Sequence, residues 1–162
     1  MGRGFDSHHR LIKNLLINMK TIKIASKYDY FISGKWRNRD GVLKLTNAMR
    51  QKGYTVYCFL ESPHSFYKVN EDPEKSMQKF EKLDWRNDPY VKKIFKSDME
   101  GEQNSGTFVM LLPAGKSCHI EAGVAYGLGK KCILIGEQKE AESLYLIFDE
   151  VYLTEKAFLE SL

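Results

Sequence analysis

Strand-sized apolar runs alternate with segments of helical periodicity along most of this chain. The runs cover residues 28–33, 54–60, 108–112, 132–135 and 145–148. Gly34 ends the first run and Pro113 closes the third, and such breakers are typical of strand ends. Strands that alternate with helices pair in parallel through right-handed crossovers. The order therefore predicts an α/β fold with a doubly wound, mainly parallel five-stranded sheet.

Helical signals fill the segments between these runs. Asp40 precedes apolar residues spaced three and four positions apart, and Gly53 follows them, which predicts a helix with Asp40 as its N-cap. The same signals predict helices from Pro73 through Leu83 and over 90–99, 117–128 and 154–162, with a loop over 101–106.

The length of 162 residues suits one domain with its own hydrophobic core. We assign that domain to residues 28–162. Residues 1–27 are interpreted as an N-terminal extension, either poorly ordered or a surface helix. Lys13 and Asn14 interrupt its apolar stretch and no small-residue cleavage site follows, which disfavours a secretory signal.

Charge and cysteine content exclude several classes of protein. The 25 Lys and Arg residues stand against 21 Asp and Glu residues, with both signs interspersed, which disfavours a nucleic-acid polymer as partner. No apolar run is long enough to span a membrane. Cys58, Cys118 and Cys132 lack the spacing of a disulfide framework or a metal site, so we expect a cytoplasmic protein without a metal or cofactor.

The most unusual local sequence is LLPAGKSCHIEAGVAYGLGKK, residues 111–131, which follows the third predicted strand. Parallel α/β sheets bind ligands beyond the carboxyl ends of their strands, so we expect the site around Pro113–Glu121. The letters PAGKS resemble the end of a P-loop, but Met110 stands where that motif needs its first glycine, which disfavours a nucleoside triphosphatase. Backbone amides at the helix start still suit an anion such as a sugar phosphate.

Glu121 lies in the first turns of the helix that Ser117 is expected to cap. The helix dipole and local hydrogen bonds would favour its carboxylate form, and a positioned carboxylate can attack a sugar carbon. Acidic residues are also common near helix N-termini, so this position alone does not establish a nucleophile. Cys118 and His119 are adjacent and point apart, so they form no dyad; Cys118 is interpreted as buried and His119 as structural or ligand-lining.

Small residues crowd the rest of this helix, namely Ala122, Gly123, Ala125, Gly127 and Gly129. A glycine inside a helix costs on the order of 1 kcal/mol relative to alanine. Two internal glycines therefore indicate close packing against the sheet, a second subunit or a ligand. Together with the abundant aromatic residues, they predict a homodimer or a larger oligomer.

Four stretches carry a resemblance to a known family: YFISGKWRNRD at 30–40, the helix and strand at 42–60, IFKSD at 94–98, and EAGVAYGLGK at 121–130. In this order they resemble the nucleoside 2-deoxyribosyltransferase superfamily, which also contains deoxynucleoside-monophosphate N-glycosidases. The last stretch matches the family pattern E-x-G-x-A-x-x-x-G-K. The resemblance covers about residues 28–150 and implies a flavodoxin-like sheet.

The resemblance also implies roles for individual residues. Glu121 would attack C1′ of the sugar, Tyr30 would orient it, and Asp98 would contact the sugar or the base. Without the resemblance, Tyr30 would be interpreted as a core aromatic residue and Asp98 as a surface acid. The substrate-binding positions expected from the resemblance and the turn are Ser33, Gly34, Trp36, Gly115, Lys116, Ser117 and His119.

The expected activity is cleavage or transfer at the N-glycosidic bond of a small-molecule (deoxy)nucleoside or nucleoside 5′-monophosphate. Base-exchanging members of the family carry an acid six residues before the nucleophile, where this chain has Gly115. That departure disfavours base exchange, and Lys116 favours a phosphorylated substrate. Two alternatives share the fold: a non-catalytic nucleotide-binding sensor, and a partner-binding scaffold.

Overall fold

The computed structural model describes residues 26–65 and 71–162. All but the last two residues of the expected N-terminal extension lie outside this part of the chain. The strands are β1 (Tyr28–Gly34), β2 (Val56–Cys58), β3 (Ser105–Leu111), β4 (Lys131–Ile135) and β5 (Glu150–Tyr152). They form a five-stranded sheet in the order β2-β1-β3-β4-β5, and every neighbouring pair is parallel. This order confirms the doubly wound, flavodoxin-like prediction.

Five helices accompany the sheet in the described residues: α1 (Arg39–Gln51), α2 (Pro73–Phe80), α3 (Pro89–Gln103), α4 (Lys116–Gly127) and α5 (Glu155–Ser161). One face of the sheet packs against α1 and α5, where Val42, Leu45 and Phe158 are fully buried. The opposite face packs against α4, whose Ala122 and Ala125 lie against Phe108 and neighbouring side chains. Helices on both faces bury the central strands, which explains their continuous apolar runs.

Local sequence explains where these helices begin. Asp72 and Asp88 each precede a proline at the first helical position, and each carboxylate accepts hydrogen bonds from backbone amides of the first turn. Proline tolerates this position because the amide it lacks would have no partner within the helix. After α4, Gly129 has a φ of +70°, the left-handed conformation that commonly ends a helix.

Several boundaries differ from the sequence-based prediction. The second strand, expected over 54–60, is only Val56–Cys58, and 59–61 form a 3-10 helix. Residues 145–148 are not a strand: 143–147 form a short 3-10 helix, and the fifth strand is Glu150–Tyr152. The loop expected over 101–106 is instead the last turn of α3 and the start of β3. The first helix begins at Arg39, so Asp40 lies inside it and is not its N-cap.

Short side chains from α4 and long ones from β3 and β4 fill the second face, because the helix approaches the sheet through its alanines.

Within residues 26–65 and 71–162, every helix is too short or too polar to cross a membrane.

Candidate active site

A cavity of about 500 Å³ lies beyond the carboxyl ends of β1 and β3. The chain leaves these two adjacent strands in opposite directions, toward α1 on one face and toward α4 on the other, which opens a crevice between them. The residues that line this main cavity are Gly34, Lys35, Trp36, Arg37, Phe59, Met77, Phe80, Glu81, Asp98, Gly115, Lys116, Ser117, Cys118 and Glu121. Seven of the ten residues expected at the site are therefore in one cavity wall.

Glu121 lies on the buried side of α4, deep in the main cavity. The Ser33 hydroxyl at the end of β1 donates a hydrogen bond to its Oε2 over 2.5 Å. Burial nevertheless raises the pKa of Glu121 to about 8, and nearby Asp98 and Glu102 add to this rise, while the Ser33 hydrogen bond opposes it. The free site therefore favours the protonated acid at neutral pH, which corrects the expectation of a carboxylate stabilised by the helix start.

The position of the helix start explains this difference. Helix α4 begins at Lys116 with Gly115 as its N-cap, two residues earlier than the Ser117 cap expected from the sequence. Glu121 consequently lies well inside the second turn, beyond the unpaired amides of the first turn. The favourable end of the helix dipole is confined to that first turn.

Asp98 contributes the second carboxyl group to the main cavity from the middle of α3. The Tyr57 hydroxyl donates to its Oδ1 over 3.0 Å, and Tyr57 also contacts Ser97. Burial raises the pKa of Asp98 to about 6, although the Tyr57 hydrogen bond favours its ionised form. Two carboxyl groups, one from α3 and one from α4, thus line the main cavity. Their pKa values differ because their surroundings differ.

The turn after β1 forms another wall of the main cavity. A side chain at Gly34 would place its Cβ 2.5 Å from Val42, so this close approach requires glycine. Trp36 follows, and its ring lies 6.3 Å from that of Phe59, the first residue beyond β2. These two rings make one side of the cavity aromatic.

The turn before α4 forms the mouth of the main cavity. Gly115, Lys116 and Ser117 line it, and the side chains of Lys116 and Ser117 are exposed. A cationic side chain beside the start of a twelve-residue helix is a suitable setting for an anionic group. The expected roles of these three residues thus remain consistent with their position.

Helix α2 closes the remaining side, which sequence reasoning did not assign to the site. Met77 and Phe80 line the main cavity. The helix is tied to the β1 turn by an ion pair in which Arg37 Nε lies 2.6 Å from Glu74. The sequence signal was the apolar edge of this helix, but nothing in it indicated which surface that edge would cover.

Tyr30 does not lie with Glu121. Its ring packs edge-on against Tyr54 and Phe158, with centroids 5.3 and 6.3 Å away, on the sheet face that α1 and α5 cover. Side chains alternate along a strand, so Tyr30 and Ser33 point to opposite faces. Glu121 is on the Ser33 face, and the side chain that contacts its carboxyl group is Ser33 and not Tyr30.

His119 faces a second cavity of about 480 Å³ on the other side of α4. Its Nδ1 is 2.7 Å from the Gly115 carbonyl, and its Nε2 is 2.7 Å from the Tyr145 hydroxyl. Residues two apart in a helix point in nearly opposite directions, so His119 cannot share the main cavity with Glu121. Its contact with a substrate, expected from the sequence, is not supported by this position.

The internal glycines of α4 do not pack closely against the described residues. A Cβ at Gly123 or Gly127 would meet nothing within 4 Å. The alanines face the sheet instead, and Ile120 and Tyr126 are exposed beside the glycines. Packing against the sheet is thus excluded as their explanation, and the predicted oligomer remains a prediction.

Across residues 26–65 and 71–162, no three His, Cys, Asp or Glu side chains come together as a metal site would require. The three cysteines are buried and unpaired. The main cavity therefore holds the Glu121 and Asp98 carboxyl groups, with the Ser33 hydroxyl bonded to Glu121. The charged side chains of Lys35, Arg37, Glu81 and Lys116 also line it.

No protein-family model matches the chain, and no curated protein matches it. A solved 2-deoxyribosyltransferase from Bacillus psychrosaccharolyticus is similar in structure, with a TM-score of 0.59 at 15% identity over 80% of this chain and 89% of that one. The CMP N-glycosidase BcmB from Clostridium botulinum gives 0.48 at 18% identity, covering 81% and 96%. The TIR domain of the Toll-related receptor TRR-2 from Hydra magnipapillata gives 0.47 at 12%, covering 78% and 83%. The chain thus has the fold of a 2-deoxyribosyltransferase, in agreement with the resemblance in its sequence.

Proposed function

We propose that this protein cleaves or transfers at the N-glycosidic bond of a nucleoside or nucleoside 5′-monophosphate, with Glu121 as the nucleophile. The observation that carries the proposal is the pair of carboxyl groups, Glu121 and Asp98, in one cavity at the β1/β3 crevice. The fold shared with a 2-deoxyribosyltransferase supports the same reaction class.

The proposed reaction begins with attack of a Glu121 carboxylate oxygen on C1′ of the sugar. The C1′–N bond breaks, and its electron pair goes to the base nitrogen. Positive charge develops at the sugar, which an ionised carboxylate beside C1′ stabilises. Water or a second base then attacks C1′ of the glycosyl-enzyme, gives its proton to the Asp98 carboxylate, and releases Glu121 as a carboxylate.

Asp98 is suited to supply the proton that the departing base needs. Its pKa of about 6 leaves part of it protonated near neutral pH, and Tyr57 fixes one of its oxygens. Glu121, in contrast, must lose its proton before it can attack. In the free site these two pKa values lie in the reverse of the order that this division requires. Only the fraction of the protein in which Glu121 is ionised and Asp98 is protonated is therefore ready to react.

The walls of the main cavity fit the parts of a nucleotide. Trp36, Phe59 and Phe80 offer aromatic surface to a planar base. Lys116 and Ser117 at the mouth offer a cation and a hydroxyl to a 5′-phosphate or 5′-hydroxyl. Gly115 supplies no carboxyl group to take the proton that an incoming base loses, which favours hydrolysis over base exchange.

The second candidate function is a nucleotide-binding sensor without catalysis. A Glu121 that stays protonated at neutral pH would bind through hydrogen bonds and form no bond to the sugar, and its raised pKa favours this alternative. The two functions differ in whether free base appears.

The test is incubation of the protein with a panel of nucleosides and nucleotides, with free base measured by chromatography. Glu121→Gln keeps the shape and removes the charge, so it should slow base release by at least roughly a hundredfold, about 2.7 kcal/mol. Calorimetry should show that the variant still binds the intact substrate.

Glu81→Gln is the matched control, because Glu81 lines the same cavity but is exposed at its rim. It should retain most of the activity. Full activity in Glu121→Gln would remove Glu121 from the mechanism. An inactive wild type that binds nucleotides across the panel would establish the sensor.

A further inference from the structure

Glu102 is a carboxyl group buried in the interior without a hydrogen-bond partner. Its side chain is completely inaccessible to solvent, and neither carboxyl oxygen accepts or donates a hydrogen bond within the described residues. It lies on α3 one helical turn after Asp98, on the side that packs against α4. The proposed reaction gives it no direct role.

The groups around Glu102 are identifiable on every element that packs against it. Asp98 lies on its own helix, and Glu121 on α4 is close enough for the two charges to interact. The Ala125 amide of α4 favours the ionised form of Glu102, although its geometry falls short of a hydrogen bond. Cys132 faces it from β4, and Lys130 from the turn before that strand. The Ser105 hydroxyl of β3 is committed to the Gly101 carbonyl at 2.7 Å and cannot serve it.

Lys130 does not form an ion pair with Glu102. Its Nζ donates to the Gln103 carbonyl over 3.2 Å and to the Ser105 carbonyl. The ammonium group favours the charged form of Glu102 only from a distance, and burial outweighs it. Glu102 is therefore held as a neutral acid over much of the pH range.

A buried carboxyl group without partners is costly for a fold. Removing a polar group from water without a compensating hydrogen bond costs about 1–3 kcal/mol in proteins, whereas leucine at the same place would stabilise. Such a residue is a candidate for function when it is coupled to a catalytic group. Glu102 is coupled to both carboxyl groups of the main cavity, since its charge opposes the ionisation of Glu121 and Asp98 opposes its own.

We propose that Glu102 is a positioning residue of this site, whose charge state controls when Glu121 gives up its proton. The inference rests on the proposed function of Glu121. The three carboxyl groups share protons as one set, because two negative charges this close in a buried setting oppose each other. While Glu102 keeps its proton, Glu121 can ionise beside the substrate; when Glu102 loses it, the new charge makes Glu121 retain its own proton.

The test compares Glu102→Gln with the wild type by a ¹³C-carboxyl NMR titration, with Glu121 assigned from the missing signal of Glu121→Gln. Glutamine keeps the size of the side chain and can never carry the charge. We expect the Glu121 midpoint to fall by about half a pH unit or more. Glu100→Gln is the matched control, because Glu100 is exposed on the same helix and pairs with Lys96 at 3.8 Å, and the Glu121 midpoint should not move in this variant.

The pH profile gives a second readout that a purely structural role would not move. In an active enzyme, the limb of the kcat/KM profile that Glu121 sets should shift to lower pH in Glu102→Gln together with the NMR midpoint. An unchanged Glu121 midpoint would overturn the proposal, whatever the activity. A shifted midpoint in a protein that releases no base from any substrate would uphold the coupling while the proposed reaction fails.

Thermodynamic linkage makes a third readout independent of activity. The difference in free energy of unfolding between Glu102→Gln and the wild type should grow as pH rises from about 4.5 to about 7, because only the wild type must ionise Glu102. A pH-independent difference would contradict the proposal.

Discussion

Ser33 and burial act in opposite directions on the ionisation of Glu121. The hydroxyl donates to Oε2 over 2.5 Å and favours the carboxylate, while the surrounding protein favours the acid and dominates. Without the serine, the pKa of Glu121 would rise further above 8. The Ser33 hydrogen bond thus increases the ionised fraction of Glu121 near neutral pH, against the larger effect of burial.

Removal of this hydroxyl is expected to slow the reaction at low pH most strongly. In Ser33→Ala, kcat/KM below the Glu121 midpoint should fall about tenfold for each unit by which the Glu121 pKa rises, and the limb of the pH profile that Glu121 sets should move to higher pH. Ser143→Ala is the control, because Ser143 is exposed and lies outside the main cavity. A pH profile of kcat/KM that is unchanged in Ser33→Ala would show that the hydrogen bond does not act on catalysis.

Tyr30 shows the limit of carrying residue roles over by position. The resemblance aligned the YFIS run but did not determine which side chains point toward the cavity. The alternation of side chains along a strand determines this: Tyr30 and Ile32 share one face, and Phe31 and Ser33 share the other. Glu121 could be assigned from the sequence because the family block begins with it, and its Ser33 partner could be assigned only as a substrate contact.

The strands that the sequence predicted best are those buried on both faces. Residues 108–112 and 132–135 are apolar without interruption, and such a segment is stable only where both of its faces are buried, as in a central strand. The run at 145–148 has the same composition but packs only Tyr145, Ile147 and Phe148 against the sheet, while Leu146 is 90% exposed. The true fifth strand, Glu150–Tyr152, is a short edge strand with too little apolar character to be recognised.

Gly101 explains why α3 was expected to end too early. A glycine near the end of a helical pattern is a normal stop signal, but here it lies within the helix beneath the Tyr57 ring. A Cβ at this position would lie 2.4 Å from that ring. Local sequence cannot show a partner that comes from a strand 44 positions away.

Alanine at two glycines is expected to have opposite effects on stability. Gly101→Ala should destabilise by about 1–3 kcal/mol through overpacking, and the displaced Tyr57 should weaken the hold on Asp98. Gly123→Ala should stabilise by about 0.5–1 kcal/mol, since its helix position faces open space within the described residues. Chemical denaturation of both variants measures this contrast, and equal effects would contradict the packing at Gly101.

At the level of the whole molecule, the position of the site could be predicted from the topology, but the residues that form its walls could not. Alternating strands and helices predicted a crevice at the carboxyl edge, and the β1/β3 crevice contains Glu121. The cavity walls include Phe59 and the α2 residues Met77 and Phe80 because distant segments pack together, and no local sequence pattern indicates such packing. The coupling of Glu121 and Asp98 to Glu102 also became visible only once α3 and α4 were packed side by side.

The acids in and beside the main cavity make stability depend on pH in an unusual direction. The pKa values of Asp98, Glu102 and Glu121 rise from 3.8, 4.5 and 4.5 to about 6, 7 and 8. Between the unfolded and folded values, the folded state binds more protons than the unfolded state does. The free energy of unfolding therefore falls as pH rises through this window, by about 1.4 kcal/mol per pH unit for each proton retained.

We therefore expect chemical denaturation to show greater stability near pH 5 than near pH 8. Acids with lowered pKa values, such as Glu74 and Glu150, lose their contribution only at lower pH and do not reverse this trend. Glu121→Gln should flatten the slope, because one acid that must ionise in the folded state has been removed. Glu81→Gln, at the exposed rim of the same cavity, should leave the slope unchanged. A wild type that gains stability from pH 5 to 8 would show that these carboxyl groups ionise freely in the folded protein. The conclusion that Glu121 is protonated in the free site would then be wrong.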